Sequence, residues 1–210
     1  MTQRRSLLFA PGAGAPSSSA WMLAWKERLQ RLGSVEAFDY PYQRAGKKSP
    51  DRAPVLVAAH RAELTRVLAG QAGPVILIGK SMGGRIGCHV AVELEQAGAT
   101  ASERPTALVC LGYPLVAPGG AVRDQVLLEL GTPVLFVQGT RDAMCPLDRL
   151  EAVRARMRAP SELFVVDSGD HSLLAQKTRL RQLELTQSEL DDRVLAAVAG
   201  FLGRFAPAPA

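Results

Sequence analysis

Six short apolar runs punctuate the chain, at residues 6–10, 35–40, 75–79, 107–111, 134–138 and 162–166. Most are apolar throughout instead of alternating, and Gly, Pro or Asp bounds each one. Strands buried on both faces of a parallel sheet read this way. Between the runs lie stretches with helical patterning, at 20–32, 51–69, 82–96, 122–130, 148–157 and 191–201. Parallel strands cannot be joined by a tight turn and need a crossover, usually a helix. Sixfold alternation therefore predicts an α/β fold, a doubly wound and mainly parallel six-stranded sheet flanked by helices. Helix start signals agree: Ser49-Pro50-Asp51 offers a cap, a first-turn proline and an acid, and Thr186 with Glu189 forms a capping box.

At 210 residues the chain has the length of one domain, expected at 1–205, with the Ala-Pro-Ala-Pro-Ala stretch 206–210 as a disordered tail. Against 20 Asp+Glu stand 25 Lys+Arg, a mild excess of +5 that is scattered along the sequence. Its densest cluster, Arg149, Arg154, Arg156 and Arg158, falls in a helical stretch and reads as a solvated face. Aromatics are only 5%, so the basic, stacking-rich footprint of a nucleic-acid binder is missing. Cys88, Cys110 and Cys145 form no C-x-x-C and read as small core residues, not as a disulfide framework or a zinc site. No run approaches the roughly 18 apolar residues of a membrane span. Arg4-Arg5 ahead of Leu7-Leu8-Phe9-Ala10 faintly imitates a signal peptide, but Pro11-Gly12 ends the run too soon, and a first strand in a cytoplasmic protein is expected.

The sharpest local signal is Gly79-Lys80-Ser81-Met82-Gly83, a G-x-S-x-G pattern between a predicted strand and a predicted helix. Such a turn thrusts the serine hydroxyl above the sheet. Side chains two residues either side would collide there, and both positions are glycine. The following helix points its first amides at the site, favouring developing negative charge. Two decoys overlap this region. Gly79-Lys80-Ser81 ends like a phosphate-binding loop, but Pro74 stands at the first glycine position and Val75-Ile76-Leu77-Ile78 is strand core. Gly12-Ala13-Gly14 starts like a dinucleotide fingerprint, yet Ser17 replaces its third glycine, although Asp39 ends the second strand where a ribose-binding acid would sit. A nucleophilic serine also needs two amides for an oxyanion. Met82, the residue after Ser81, supplies one; Gly12 permits close approach of the first loop, leaving Ala13 as the expected second donor.

Three histidines compete for the role of base. His89 lies eight residues into the helix after Ser81, ~12 Å down its axis and out of reach. His60, four residues from both Leu56 and Leu64, sits on an apolar helical stripe and reads as a packed histidine. His171 follows the last strand in Asp170-His171-Ser172 and comes last in the order serine, acid, histidine. Asp142, in Gly139-Thr140-Arg141-Asp142 after the penultimate strand, is placed to orient it. Asp167 and Asp170 are too near His171 along the chain and are expected to shape its loop.

Together, Gly79-Lys80-Ser81-Met82-Gly83-Gly84, Gly139-Thr140-Arg141-Asp142 and Gly169-Asp170-His171-Ser172 resemble the α/β-hydrolase superfamily. The likeness is to its small, capless, dienelactone-hydrolase-like members and to the NSL-complex-subunit and testis-expressed hydrolase-like group. It runs from the first strand to the final helix. It implies Ser81 as nucleophile, Asp142 as acid, His171 as base, and Ala13 with Met82 as oxyanion hole. Pro11-Gly12 stands where members often carry His-Gly, and Ser81 where dienelactone hydrolases carry cysteine. The expected activity is cleavage of a small ester or thioester through an acyl-enzyme, without metal or cofactor. The competing expectation is a hydrolase-fold interaction module whose retained triad does little. Lys80, Tyr42, Arg44 and Tyr113 are expected near the carboxyl edge of the sheet, as substrate contacts or as solvated loop residues.

Overall fold

A computed structural model describes residues 5–70 and 73–208. Its six strands are β1 (Ser6–Ala10), β2 (Ser34–Ala37), β3 (Val75–Lys80), β4 (Ala107–Leu111), β5 (Val134–Gly139) and β6 (Ser161–Val166). They form one sheet in the order β2-β1-β3-β4-β5-β6, every neighbouring pair parallel. The helices are α1 (Ala20–Leu29), α2 (Pro41–Arg44), α3 (Ala53–Ala69), α4 (Met82–Gln96), α5 (Gln125–Glu129), α6 (Leu147–Arg154), α7 (Lys177–Gln182) and α8 (Gln187–Phe205). The continuous apolar strands follow from a sheet covered on both faces. Leu7, Phe9, Ile76, Ile78, Val109 and Val137 pack under Met22 and Trp25 of α1 and Val194, Val198 and Phe201 of α8. Their strand neighbours Leu8, Leu77, Leu108, Cys110 and Phe136 turn the other way, onto α3, α4, α5 and α6. Each large aliphatic side chain buried in this way contributes roughly 1.5–3 kcal/mol relative to exposure.

The strand order creates the site. From β1 the chain moves outward to β2, then crosses back to the opposite side of β1 to enter β3. The loops leaving β1 and β3 therefore diverge, one toward α1 on one face and one into α4 on the other. A crevice opens between their carboxyl ends, where ligands bind in open sheets of this kind. The β4–β5 connection, residues 112–133, carries only the antiparallel bridge Val116–Val122 and α5, so no cap domain covers that edge. Among the described residues no helix is long and apolar enough to cross a membrane.

Several expectations need correction. The second run ends as a strand at Ala37; Phe38 and Tyr40 are buried in loop and cap positions instead. The third helix starts at Ala53 with Pro54 in its first turn, not at Ser49-Pro50-Asp51, and the Asp51 carboxylate accepts from the Tyr42 amide instead. Thr186 and Glu189 do form the capping box of α8, but that helix runs from Gln187 to Phe205. The first residue of the stretch expected as a tail packs against the domain. Ala206 is buried, its carbonyl accepting from Arg5 Nε at 2.6 Å, while Pro207 and Ala208 are exposed. The rest of the expected tail, 209–210, lies outside the described residues.

Candidate active site

Ser81 joins β3 to α4 with φ 50° and ψ −114°, a left-handed conformation that costs a non-glycine residue roughly 1–3 kcal/mol. The flanking glycines make the turn sterically possible. A Cβ on Gly79 would overlap the Gly84 amide nitrogen, and one on Gly83 would lie 2.5 Å from the Ala10 carbonyl oxygen. The Ser81 amide donates to Leu111 O at 3.0 Å, tying the turn to the end of β4.

His171, on the loop after β6, reaches this serine. Its Nε2 lies 2.8 Å from Ser81 Oγ, and its Nδ1 lies 2.7 Å from Asp142 Oδ2. The Asp142 side chain is 1% exposed. Its Oδ2 also accepts from Gln138 Nε2 at 2.5 Å, and its Oδ1 from the Met144 amide at 2.9 Å. Gln138, wholly buried at the end of β5, is fixed in turn by the Tyr113 amide donating to its Oε1. A carboxylate facing Nδ1 draws the ring proton to that nitrogen. Nε2 is then left with its lone pair toward the serine hydroxyl.

The histidine loop is held by its backbone. The Lys80 ammonium donates to the His171 carbonyl, and Trp21 Nε1 donates to the Ser172 carbonyl at 2.9 Å. Gly112, at φ +68°, makes room, since a Cβ there would stand 2.5 Å from His171 O. Lys80 Nζ also lies 5.3 Å from the centre of the Trp21 ring. Burial pushes this ammonium down to about 8, opposed by the Asp142 and Asp170 carboxylates. Asp170 shapes the loop as expected: its Oδ1 accepts from the Ser172 and Leu174 amides at 2.7 and 3.0 Å. Asp167 pairs with Arg179 at 2.6 Å.

Met82 opens α4, so its amide has no acceptor within the helix. The Ala13 loop lies alongside, with Gly12 so close that a Cβ would stand 3.5 Å from Ser81 Cβ. Between this loop, α1 and the histidine loop is a cleft of about 380 Å³. Ala13, Trp21, Met22 and Met144 line it, with Lys80, Ser81 and His171.

Other expected contacts lie elsewhere. Tyr113 is fully buried beneath the sheet edge, edge-on to Phe136 with ring centres 5.6 Å apart, and does not line the cleft. Tyr42 is buried and donates to Ala13 O at 2.9 Å. Arg44 faces solvent beside Glu63 at 3.9 Å. Asp39, considered above as a ribose ligand, accepts from the Ser17 amide at 2.6 Å. His60 is the packed histidine its stripe implied, with Nδ1 3.1 Å from Tyr40 Oη, and burial lowers it to about 3. His89 lies beside Arg85 on α4. The three cysteines are buried free thiols. Sequence reasoning missed Gln138, Gln43 and Trp21. A polar residue closing an apolar strand was an available signal for Gln138; the other two carry none.

Residues 3–202 match the alpha/beta hydrolase domain family. Among solved structures, a serine hydrolase without lid from Xanthomonas campestris superposes with TM-score 0.70 at 17% identity, over 100% of this chain and 86% of that one. A dienelactone hydrolase from Anabaena variabilis gives 0.69 at 17% identity, covering 97% and 88%. The RedJ thioesterase of prodiginine biosynthesis in Streptomyces coelicolor gives 0.65 at 20%, covering 94% and 86%. At these identities the structures attest the fold, while the domain match spans nearly the whole sequence. The chain is a member of the alpha/beta hydrolase family, in a form without a cap domain.

Proposed function

We propose that this hydrolase is a serine enzyme that cleaves small esters or thioesters through an acyl-enzyme on Ser81. The observation that carries the reading is the continuous line of hydrogen bonds Ser81 Oγ–His171 Nε2 and His171 Nδ1–Asp142 Oδ2. His171 takes the hydroxyl proton as Oγ bonds to the substrate carbonyl carbon. The Met82 and Ala13 amides hold the resulting oxyanion, and Asp142 stabilises the imidazolium. Collapse of the tetrahedral species breaks the bond to the alcohol or thiol, which leaves with the proton from His171. Water then attacks the acyl-enzyme, giving His171 its proton, and the carboxylic acid departs as Ser81 regains its hydrogen. The open, lidless cleft suits acyl groups of acetate to butyrate length.

A fluorophosphonate probe tests the reading directly. It should add once to the intact protein, at Ser81, and Ser81→Ala should abolish both labelling and hydrolysis of 4-nitrophenyl butyrate. Loss of the nucleophile costs on the order of 10⁴–10⁶ in rate. A folded wild type that neither labels nor turns over short activated esters would instead favour an interaction module built on the same fold.

A further inference from the structure

We infer that Tyr42 and Gln43 of α2 are positioning residues for the oxyanion site, turning the Ala13 N–H toward Ser81 by holding the loop's carbonyls from behind. The inference rests on the acyl-enzyme reading above and adds a part that the triad and the elbow do not contain. Loop 12–15 is a partition: the Ser81 cleft lies on one side and α2 on the other. From the α2 side, three of its carbonyls are taken by side chains. Gln43 Nε2 donates to Gly12 O at 3.0 Å and to Ala15 O at 2.9 Å, and Tyr42 Oη donates to Ala13 O at 2.9 Å. In a planar trans peptide the N–H of one residue points opposite to the carbonyl of the residue before it. Gripping Gly12 O from the α2 side therefore sends the Ala13 N–H to the other side, where Gly12 itself abuts Ser81. Gripping Ala13 O orients the Gly14 N–H in the same sense.

The grip is itself held rigidly. Gln43 Oε1 accepts from the Tyr40 amide at 3.1 Å, so both donors and the carbonyl oxygen of its amide group are engaged and its orientation is fixed. Pro41 presets the first turn of α2, and the Tyr42 amide is bonded to Asp51 Oδ2 at 3.1 Å. Burial, with the Asp39 and Asp51 carboxylates nearby, pushes the Tyr42 phenol up to about 12, so it remains a donor throughout the working range of an imidazole base. Glycine gives the loop its close approach to the elbow but no preferred peptide orientation. The polar grip supplies that orientation.

An oxyanion exists only beyond the ground state, so a misdirected Ala13 amide should lower kcat and leave KM nearly unchanged. Three variants separate the contributions. Gln43→Met removes both donors without adding charge, Gln43→Glu turns an anion toward two carbonyls, and Tyr42→Phe deletes a single bond. With 4-nitrophenyl butyrate, kcat should fall about tenfold to a hundredfold in Gln43→Met, further in Gln43→Glu, and roughly three- to tenfold in Tyr42→Phe, with KM within about twofold. A short alkyl trifluoromethyl ketone, whose hemiketal on Ser81 carries the oxyanion, should lose affinity in proportion to kcat/KM. Butyramide, which develops no such charge, should bind all four proteins alike. Equal losses for both ligands, or unchanged kcat in folded Tyr42→Phe and Gln43→Met, would overturn the positioning role while leaving the hydrolase reading intact. A folded wild type that is inert toward the ester and the fluorophosphonate would overturn both.

Discussion

The turn at Ser81 and the loop at Ala13 face each other across one cleft, yet different forces hold them. The elbow is fixed by exclusion. Ser81 is driven to φ 50° because Gly79 and Gly83 let β3, α4 and the end of β1 approach within distances that no Cβ tolerates. Its determinants are contiguous in sequence, and the forces are steep repulsions. The Ala13 loop is fixed by attraction, through hydrogen bonds from side chains about thirty positions away, each worth about 1 kcal/mol net. One half of the site should therefore fail abruptly when altered, and the other by degrees.

The most damaging change should be Gly79→Ala. The added methyl would overlap the Gly84 nitrogen and the Gly83 carbonyl carbon, both backbone atoms that no rotamer change can move. Relief requires α4 to separate from β3, at roughly 1–3 kcal/mol or more for overpacking of this kind. We expect a lowered melting temperature together with loss of fluorophosphonate labelling at Ser81. A variant of wild-type stability and labelling rate would refute the claim that steric exclusion sets the elbow.

The acid gives the next largest effect and separates long-range from local polar contacts. Asp142 reaches His171 from the end of a neighbouring strand, whereas Asp170 bonds only to amides of its own loop. Asp142→Asn should favour the wrong imidazole tautomer and lower kcat on the order of 10⁴-fold near neutral pH. Asp170→Asn keeps an acceptor oxygen for the loop and should cost about tenfold or less. The ratio of the two rates, measured on one ester, is the check, and greater damage from Asp170→Asn would reassign the acid.

The same contrast explains what could be read from the amino-acid sequence. β1, β3, β4 and β5 lie within one residue of their apolar runs, because burial on both faces leaves an uninterrupted signature; the half-buried edge strand β6 does so on its Leu163-Phe164-Val165-Val166 run. Ser81 was legible for a local reason, a glycine two residues to either side; helix reach then set aside His89, an apolar stripe set aside His60, and the loop after the last strand together with chain order pointed to His171. The misses share a cause. Phe38 and Tyr40 are apolar because they pack against each other and His60, and periodicity cannot distinguish that from a strand. Helix α7 buries no residue and so leaves no apolar stripe. Tyr42 and Gln43 act through single polar atoms on a loop that is distant in sequence, and residue type does not announce such a partner.

The smallest expected effect lies one layer behind the Ala13 loop. His60 Nδ1 meets Tyr40 Oη, and the Tyr40 amide in turn bonds Gln43, so α3 supports the helix that grips the loop. Burial lowers the imidazole from 6.5 to about 3, and its Nε2 has no hydrogen-bond partner among the described residues to receive a second proton. The unfolded chain therefore takes up this proton first as pH falls. Stability at this site is whole above about 6.5 and is lost progressively toward about 3, with a slope of at most about 1.4 kcal/mol per pH unit. His60→Phe removes the titration and one neutral hydrogen bond. At pH 7.5 its kcat should fall less than tenfold, and its unfolding free energy should drop by about 1–3 kcal/mol because the Tyr40 hydroxyl loses its partner. Between pH 6 and 4, however, denaturant melts should show a shallower loss of stability than in the wild type. Parallel slopes would mean that His60 takes up its proton alike in the folded and unfolded chains, and that its burial does not weaken the fold as pH falls.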